Sequence, residues 1–283
     1  MIASAAPVSS RRASRALVAP LLLISALVLV AAAAPMLAPF DPRAQPDIVA
    51  LKSLGPSWTH PFGTDPLSRD VLTRVLYGAR VSLRVAGLSV LLALIVGTAY
   101  GALAALAGGT IDRVLMRTLD VLLALPRLLW LLAITALWDG LPLGGLIVLL
   151  GLTSWYGVAR IVRGEVQAQL KREYTVAARA LGVRPPRFFV RQLLPQLVPV
   201  LAIWASIGVA QTIGLEAGLS FLGLGVQPPD ASWGTIMQDG ASVMQPQWWL
   251  TLFPGLATLL AVIACNWLGD ALRDIFAADQ LPA

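Results

Sequence analysis

The chain has 283 residues, of which 57% are hydrophobic and only 13% charged, against about 25% charged in an average soluble domain. That shortfall places it in the membrane class and argues against a soluble catalytic domain. Its net charge of +6 comes from clustered basic residues without interleaved aromatics, a pattern that reads as a topology signal rather than as nucleic-acid binding.

Residues 1–15 are small, polar and basic and are expected to be disordered. Ala16–Phe40 carries no charge and is too long for the apolar core of a signal peptide, about 7–15 residues, so a retained first membrane helix is expected. Residues 41–79 are expected to form an extracytoplasmic loop, rich in proline at its start. His60 stands alone there and reads as a turn residue rather than a ligand. Asp65 followed by Pro66 predicts a helix start. Leu67, Val71, Val75, Leu76 and Ala79 then recur at helical spacing, as in a helix lying along the interface.

Four further uncharged runs follow: Val85–Ile111, Gly140–Ala159, Gln192–Leu215 and Gly240–Gly269. A membrane helix needs about 20 mostly apolar residues. Thr118–Trp138 adds another run, interrupted by Asp120 and Arg127. The expected fold is therefore all-α with six transmembrane helices, residues 80–275 forming a core of five of them. With the N-terminus inside, fourteen basic residues fall on the inner side and six on the outer side, all six in the first outer loop. Both termini are accordingly expected in the cytoplasm. Trp233, Trp248 and Trp249 are expected at the outer interface. Pro126, Pro195, Pro199 and Pro254 can bend helices, and Gly97, Gly101, Gly208 and Gly214 permit close packing.

Buried charge in a bilayer is costly and faces a partner or water. Arg127 and Glu216 are therefore candidate pore or interhelical residues, and two readings stay open: Arg127 lining a cavity, or a structural ion pair with Glu216. The stretch 160–195 is a basic island holding eight of the 21 Lys and Arg, opposed within it only by Glu165 and Glu173. Glu173–Leu181 lacks Gly and Pro and predicts a short helix, with Tyr174, Ala177, Ala178 and Leu181 on one face. Gly182 stands where a helix C-cap is expected. Pro185 and Pro186 force a turn before a second helix carrying Phe188, Phe189, Leu193 and Leu194 up to Pro195. A projecting helix–turn–helix with a flat small-residue face and exposed phenylalanines suits protein docking.

The run EYTVAARALGVRPPRFFVRQLLPQLVP (173–199) resembles the cytoplasmic signature loop of binding-protein-dependent ABC importer permeases. That family has a Glu-Ala-Ala triplet, a Gly four residues on, and a later Leu-Pro. The matching positions are Val176, Ala177, Ala178, Gly182, Leu194 and Pro195, with Val176 in place of the triplet's glutamate. HPFGTDPLSRDVLTRVLYGARVSL (60–83), EAGLSFLGLGVQPPDASWG (216–234) and FPGLATLLAVIACNWLGDALRD (253–274) are similar to the second membrane subunit, the C subunit, of the dipeptide, oligopeptide and nickel type.

The resemblance implies a type I importer permease fold in the bacterial cytoplasmic membrane, moving di- or oligopeptides. It implies a coupling element at Glu173, Tyr174, Ala177, Ala178, Leu181, Gly182 and Pro195. It also implies as partners two cytoplasmic ABC ATPase subunits, a homologous permease subunit and an extracytoplasmic substrate-binding protein. ATP and Mg would be bound by those ATPases and no cofactor or metal by this chain. Consistently, Lys52 and Lys171 are the only lysines and neither follows Gly, so no phosphate-binding loop is present. Transport of nickel chelates, a glutathione-like solute, export, or an ion-gradient-driven transporter are the alternatives. An H-E-x-x-H enzyme is impossible with one histidine, and G-x-S-x-G is absent.

Overall fold

The computed structural model describes residues 10–138, 140–175, 185–241, 243 and 246–278. Among these the only β pairing is one isolated bridge between Thr64 and Asp70. The helices are α1 (Ser10–Ala32), α2 (Ala34–Leu37), α3 (Val71–Ala107), α4 (Gly109–Ala124), α5 (Arg127–Leu137), α6 (Leu143–Leu152), α7 (Trp155–Leu170), α8 (Pro185–Phe188), α9 (Leu194–Phe221), α10 (Trp233–Ala241) and α11 (Trp249–Ala278). A π-helical turn, Phe189–Leu193, joins α8 to α9.

Four helical stretches are long and apolar enough to cross a bilayer: Val71–Ala107, Leu143–Leu170, Phe189–Phe221 and Trp249–Ala277. The pair α4–α5 makes a fifth if counted as one span bent by 73°. The apolar part of α1, Ala16–Ala32, is shorter. Against the expected six, the structure thus offers four unbroken candidates, one broken one and one short one. The break in the expected span Thr118–Trp138 follows from Pro126, which drives Leu125 out of the helical region to φ −90°, ψ 130°.

Helix α3 is the spine. Its 37 residues extend about 55 Å at 1.5 Å per residue, and α1, α6, α7 and α9 pack along it. Helix α11 packs against α1, α9 and α10. Where α3 meets α7 the backbones touch: a Cβ on Gly101 would lie 2.3 Å from the Ala159 carbonyl oxygen, and one on Gly97 2.6 Å from Val158 Cβ. One apolar cluster gathers Val71, Val75, Trp233, Ile236, Trp249 and Leu250 at the first end of α3. Another gathers Ala102, Ala105, Val162, Val166, Phe188 and Leu193 at its far end.

The first end is closed by residues 38–70, and here the structure corrects the expected helix start. Asp70, not Asp65, caps α3, accepting from the Thr73 amide at 2.8 Å. No break separates residues 71–79 from the span. Asp65 is consumed elsewhere. Its carboxylate accepts from the Leu67 and Arg69 amides and pairs with Arg69 and Arg74. Arg74, 4% exposed, also reaches Asp239 on α10 at 2.7 Å. His60 is buried and meets Asp70 through Nδ1 at 2.9 Å, in keeping with a turn role. Trp233 and Trp249, expected at the interface, are buried because their indole N–H groups donate to the carbonyls of Val75 and Thr64, each at 3.1 Å. Trp248 alone of the three is exposed.

Arg74→Leu tests this cap. Asp65 would keep Arg69 and two amides, so the expected loss is about 2 kcal/mol, below the ~3–5 kcal/mol of a buried charge left without a partner. Thermal melting of the purified protein checks this against Arg43→Leu. The Arg43 pair with Asp230 is exposed and 3.7 Å long, and its removal should change nothing measurable.

Candidate functional site

The far end of the bundle carries the first candidate element. Helix α7 ends at Leu170. The chain then turns through Lys171 and Arg172 into a helical start at Glu173–Thr175. Glu173 and Tyr174 are exposed, whereas Thr175 is fully buried and donates to the Gln169 carbonyl at 2.8 Å. Tyr174 donates its hydroxyl proton to Gln169 Oε1 at 2.8 Å, and Gln169 in turn donates to Glu165. Ala177, Ala178, Leu181 and Gly182, with Val176, lie outside the described residues.

On the returning side Phe188 is 5% exposed and Phe189 partly buried, both against the far-end apolar cluster. This corrects the expectation of exposed phenylalanines: they root the returning strand of the loop in the bundle. The second helix does not stop at Pro195, which is exposed within the first turn of α9. Having no N–H, Pro195 cannot bond the Arg191 carbonyl. The ladder widens to a π turn in which the Leu194 amide reaches the Phe189 carbonyl.

Two arginines of the basic island are not free for docking. Arg163 grips Asp112 of α4 bidentately, with Nη2–Oδ2 at 2.6 Å, and Arg160 pairs with Asp120 at 2.6 Å. Glu165 and Glu173 are therefore not the island's only opposing acids. Sequence reasoning missed the pairing because the partners lie 40 to 51 residues apart. The spacing carried no signal for it, because Asp112 and Asp120 lie about two helical turns apart on α4 whereas Arg160 and Arg163 lie within one turn on α7.

Arg127 and Glu216 are not brought together. Arg127 begins α5 beyond the proline break. It donates to the Leu150 carbonyl at 3.1 Å, to Thr153 Oγ1 at 3.3 Å and to Ser154 Oγ, all at the junction of α6 and α7. It lines a cavity of about 280 Å³ between α3, α4, α5, α7 and α9, with Trp130, Tyr156, Trp204, Gln211 and Thr212 also on its walls. Glu216 is fully buried in α9 and accepts from Ser82 of α3 at 3.0 Å and from Ser220 at 2.7 Å. Each serine oxygen in turn accepts a backbone amide of the segment following α9. Trp233 N–H reaches Ser82 at 3.3 Å and Val226 N–H reaches Ser220 at 3.0 Å. Neither serine was singled out in the sequence, since a serine in an apolar run carries no signal until its partner is known.

Among the described residues no group of three His, Cys, Asp or Glu is placed to hold a metal ion. What the geometry does contain is a broken-helix bundle with an inner cavity, a hydrogen-bonded cap at one end and a rooted loop at the other. These are the parts of a polytopic membrane transport subunit. Residues 89–280 match the family described as binding-protein-dependent transport system inner membrane component, and the chain belongs to that family.

It is 42% identical, over 79% of its length and 70% of the relative's, to the dipeptide transport system permease protein DppC of Bacillus subtilis. It is 33% identical, over 92% of its length and 84% of the relative's, to the oligopeptide transport system permease protein OppC of Haemophilus influenzae. A solved structure titled as inward facing conformations of the MetNI methionine ABC transporter shares the fold, at TM-score 0.61 and 18% identity, covering 74% of this chain and 97% of that one. The chain is thus a multi-pass inner-membrane permease subunit of an ABC transporter. It is not an enzyme, and the ATPase is a separate partner.

Proposed function

We propose that this permease subunit imports di- or oligopeptides, working beside a homologous second permease subunit, two cytoplasmic ATPases and an extracytoplasmic peptide-binding protein. Relatives at 33–42% identity over most of the chain are peptide permeases by name, and that observation carries the substrate class. Both termini and the loop at 171–188 face the cytoplasm in this reading, and the cap at 38–70 faces outward. The basic-residue asymmetry supports that orientation.

The loop is the handle. Glu173, Tyr174, Ala177, Ala178, Leu181 and Gly182 dock in a groove of an ATPase, and Pro195 sits where the handle joins α9. Phe188 and Thr175 anchor the two limbs of the loop in the bundle, so displacement of the handle is transmitted to α7 and α9 rather than absorbed by slack chain. ATP and Mg act on the ATPases, whose closure moves the handle and reorients the inner cavity.

Gly182→Glu tests the docking: the added side chain and charge would enter the contact. Expected is a loss of ATPase from the detergent-purified complex of at least tenfold, with this subunit still in the membrane at normal level. An ATPase that stays bound and fully coupled to transport overturns the docking assignment. Uptake of a labelled dipeptide by cells with and without the subunit tests the substrate class.

A further inference from the structure

Several acidic residues within the candidate spans already have partners. Asp112 and Asp120 pair with arginines of α7, and Glu216 is satisfied by serines. Arg127 differs. Its three hydrogen bonds all go to neutral oxygens, and no carboxylate of the described residues lies within 4 Å of it. A half-buried cation without a counter-charge is costly in a bilayer unless it faces water or an anion.

Arg127 faces the cavity of about 280 Å³ and, among the described residues, is the only charged one on its wall, a size near the lower end of small-ligand sites, about 300–1,000 Å³. Its bonds use Nε and Nη2, leaving Nη1 without a hydrogen-bond partner among the described residues. Those same bonds hold the planar guanidinium in one orientation, with the N–H groups of Nη1 left to donate to a carboxylate. The rest of the wall suits a peptide. Trp130, Tyr156 and Trp204 offer aromatic surface, and Gln211 and Thr212 offer neutral hydrogen-bonding groups. Pro126, at the break before α5, lies on the same wall.

We propose that Arg127 is a carboxylate-binding station in the translocation path, which takes the C-terminal carboxylate of the passing peptide. The proposal rests on the peptide-import reading above. The neutral hydroxyl and carbonyl partners keep the guanidinium in place while no substrate is present. A carboxylate from the peptide supplies the missing counter-charge and is released to water when the cavity opens.

The test uses the complete transporter, nucleotide-free and without binding protein, in nanodiscs of zwitterionic lipid, which removes anionic lipid as a competing source of negative charge. The probe is p-benzoylphenylalanyl-alanine, photolysed and mapped by mass spectrometry. Labelling is expected on the cavity wall near Trp130 and Tyr156. Alanyl-alanine should compete for it at least tenfold better than alanyl-alanine amide. In R127Q that preference should vanish, and in R127K it should persist in part. A purely structural arginine would lower yield or melting temperature and leave acid and amide equal in every variant.

Equal competition by acid and amide in the wild type, or labelling that misses the cavity, overturns the proposal, and neither comparison needs a variant to fold. ATP hydrolysis is read on a second aliquot of the same nanodiscs after ATP, Mg and peptide-loaded binding protein are added. Stimulated hydrolysis with no acid preference rejects the station alone, whereas absence of stimulation rejects the peptide-import reading.

Discussion

Gly101→Val should abolish accumulation of the folded subunit. A Cβ at that position would lie 2.3 Å from the Ala159 carbonyl oxygen and 3.0 Å from its carbonyl carbon. The obstructing atoms belong to the backbone of α7, which cannot rotate aside as a side chain can. Overpacking a tight interior costs about 1–3 kcal/mol when side chains can shift, and a backbone clash at the closest helix crossing should exceed ~3 kcal/mol. The helices would have to part, and α3 is the element on which α6, α7 and α9 all rest.

Gly101→Ala separates this from helix propensity. Alanine is favoured over glycine by about 0.8–1 kcal/mol in a helix interior, so propensity alone predicts stabilisation and the clash predicts the reverse. Gly164→Ala in α7 is the control, since a Cβ there meets nothing within 4 Å, and it should raise the melting temperature slightly. Heating followed by size-exclusion chromatography of the tagged subunit distinguishes the outcomes. Equal behaviour of the two alanine variants would show that the α3–α7 contact is not as tight as described.

Glu216→Leu should detach the segment between α9 and α10 without removing any residue of that segment. The carboxylate accepts from Ser82 and Ser220, and these serines hold the Trp233 and Val226 amides. Leucine leaves two buried hydroxyl donors without acceptors, at about 1–3 kcal/mol each. The space is also unforgiving, because a Cβ on Gly234 would lie 2.6 Å from the Ala217 carbonyl oxygen, so the segment has no second seat. Hydrogen exchange at the Val226 and Trp233 amides should rise by more than tenfold. Glu216→Gln retains an acceptor oxygen and should show most of the wild-type protection. Unchanged exchange in the leucine variant would mean that the serines hold the segment by themselves.

Much of this architecture was legible from residue order. Long uncharged runs marked the helices because each must satisfy its backbone internally in lipid. Prolines and glycines in the runs carried no individual signal: the chain breaks at Pro126 but continues helical through Pro199 and Pro254, and Gly97 and Gly101 meet α7 closely whereas Gly214 meets nothing. Asp65 misled because Asp followed by Pro suits a helix start as well as it suits a buried turn. Only the position of Arg74 and Asp239, the latter 165 residues or more away, decides between them. Phe188 and Phe189 misled for a related reason: a polar, basic neighbourhood implied exposure, but burial is set by what α3 and α7 place beside them.

Sequence by itself determined the class of molecule and the membrane-crossing segments that are long and uncharged, since these depend on local hydropathy and backbone chemistry. Tertiary structure decided how each charge is used. Asp112 and Asp120 were matched to arginines of α7, Glu216 to serines, and Arg127 to a cavity instead of to Glu216. A charge in a low-dielectric interior is governed by whichever group the fold brings within about 4 Å, where the interaction strengthens steeply, and that neighbour is distant in sequence.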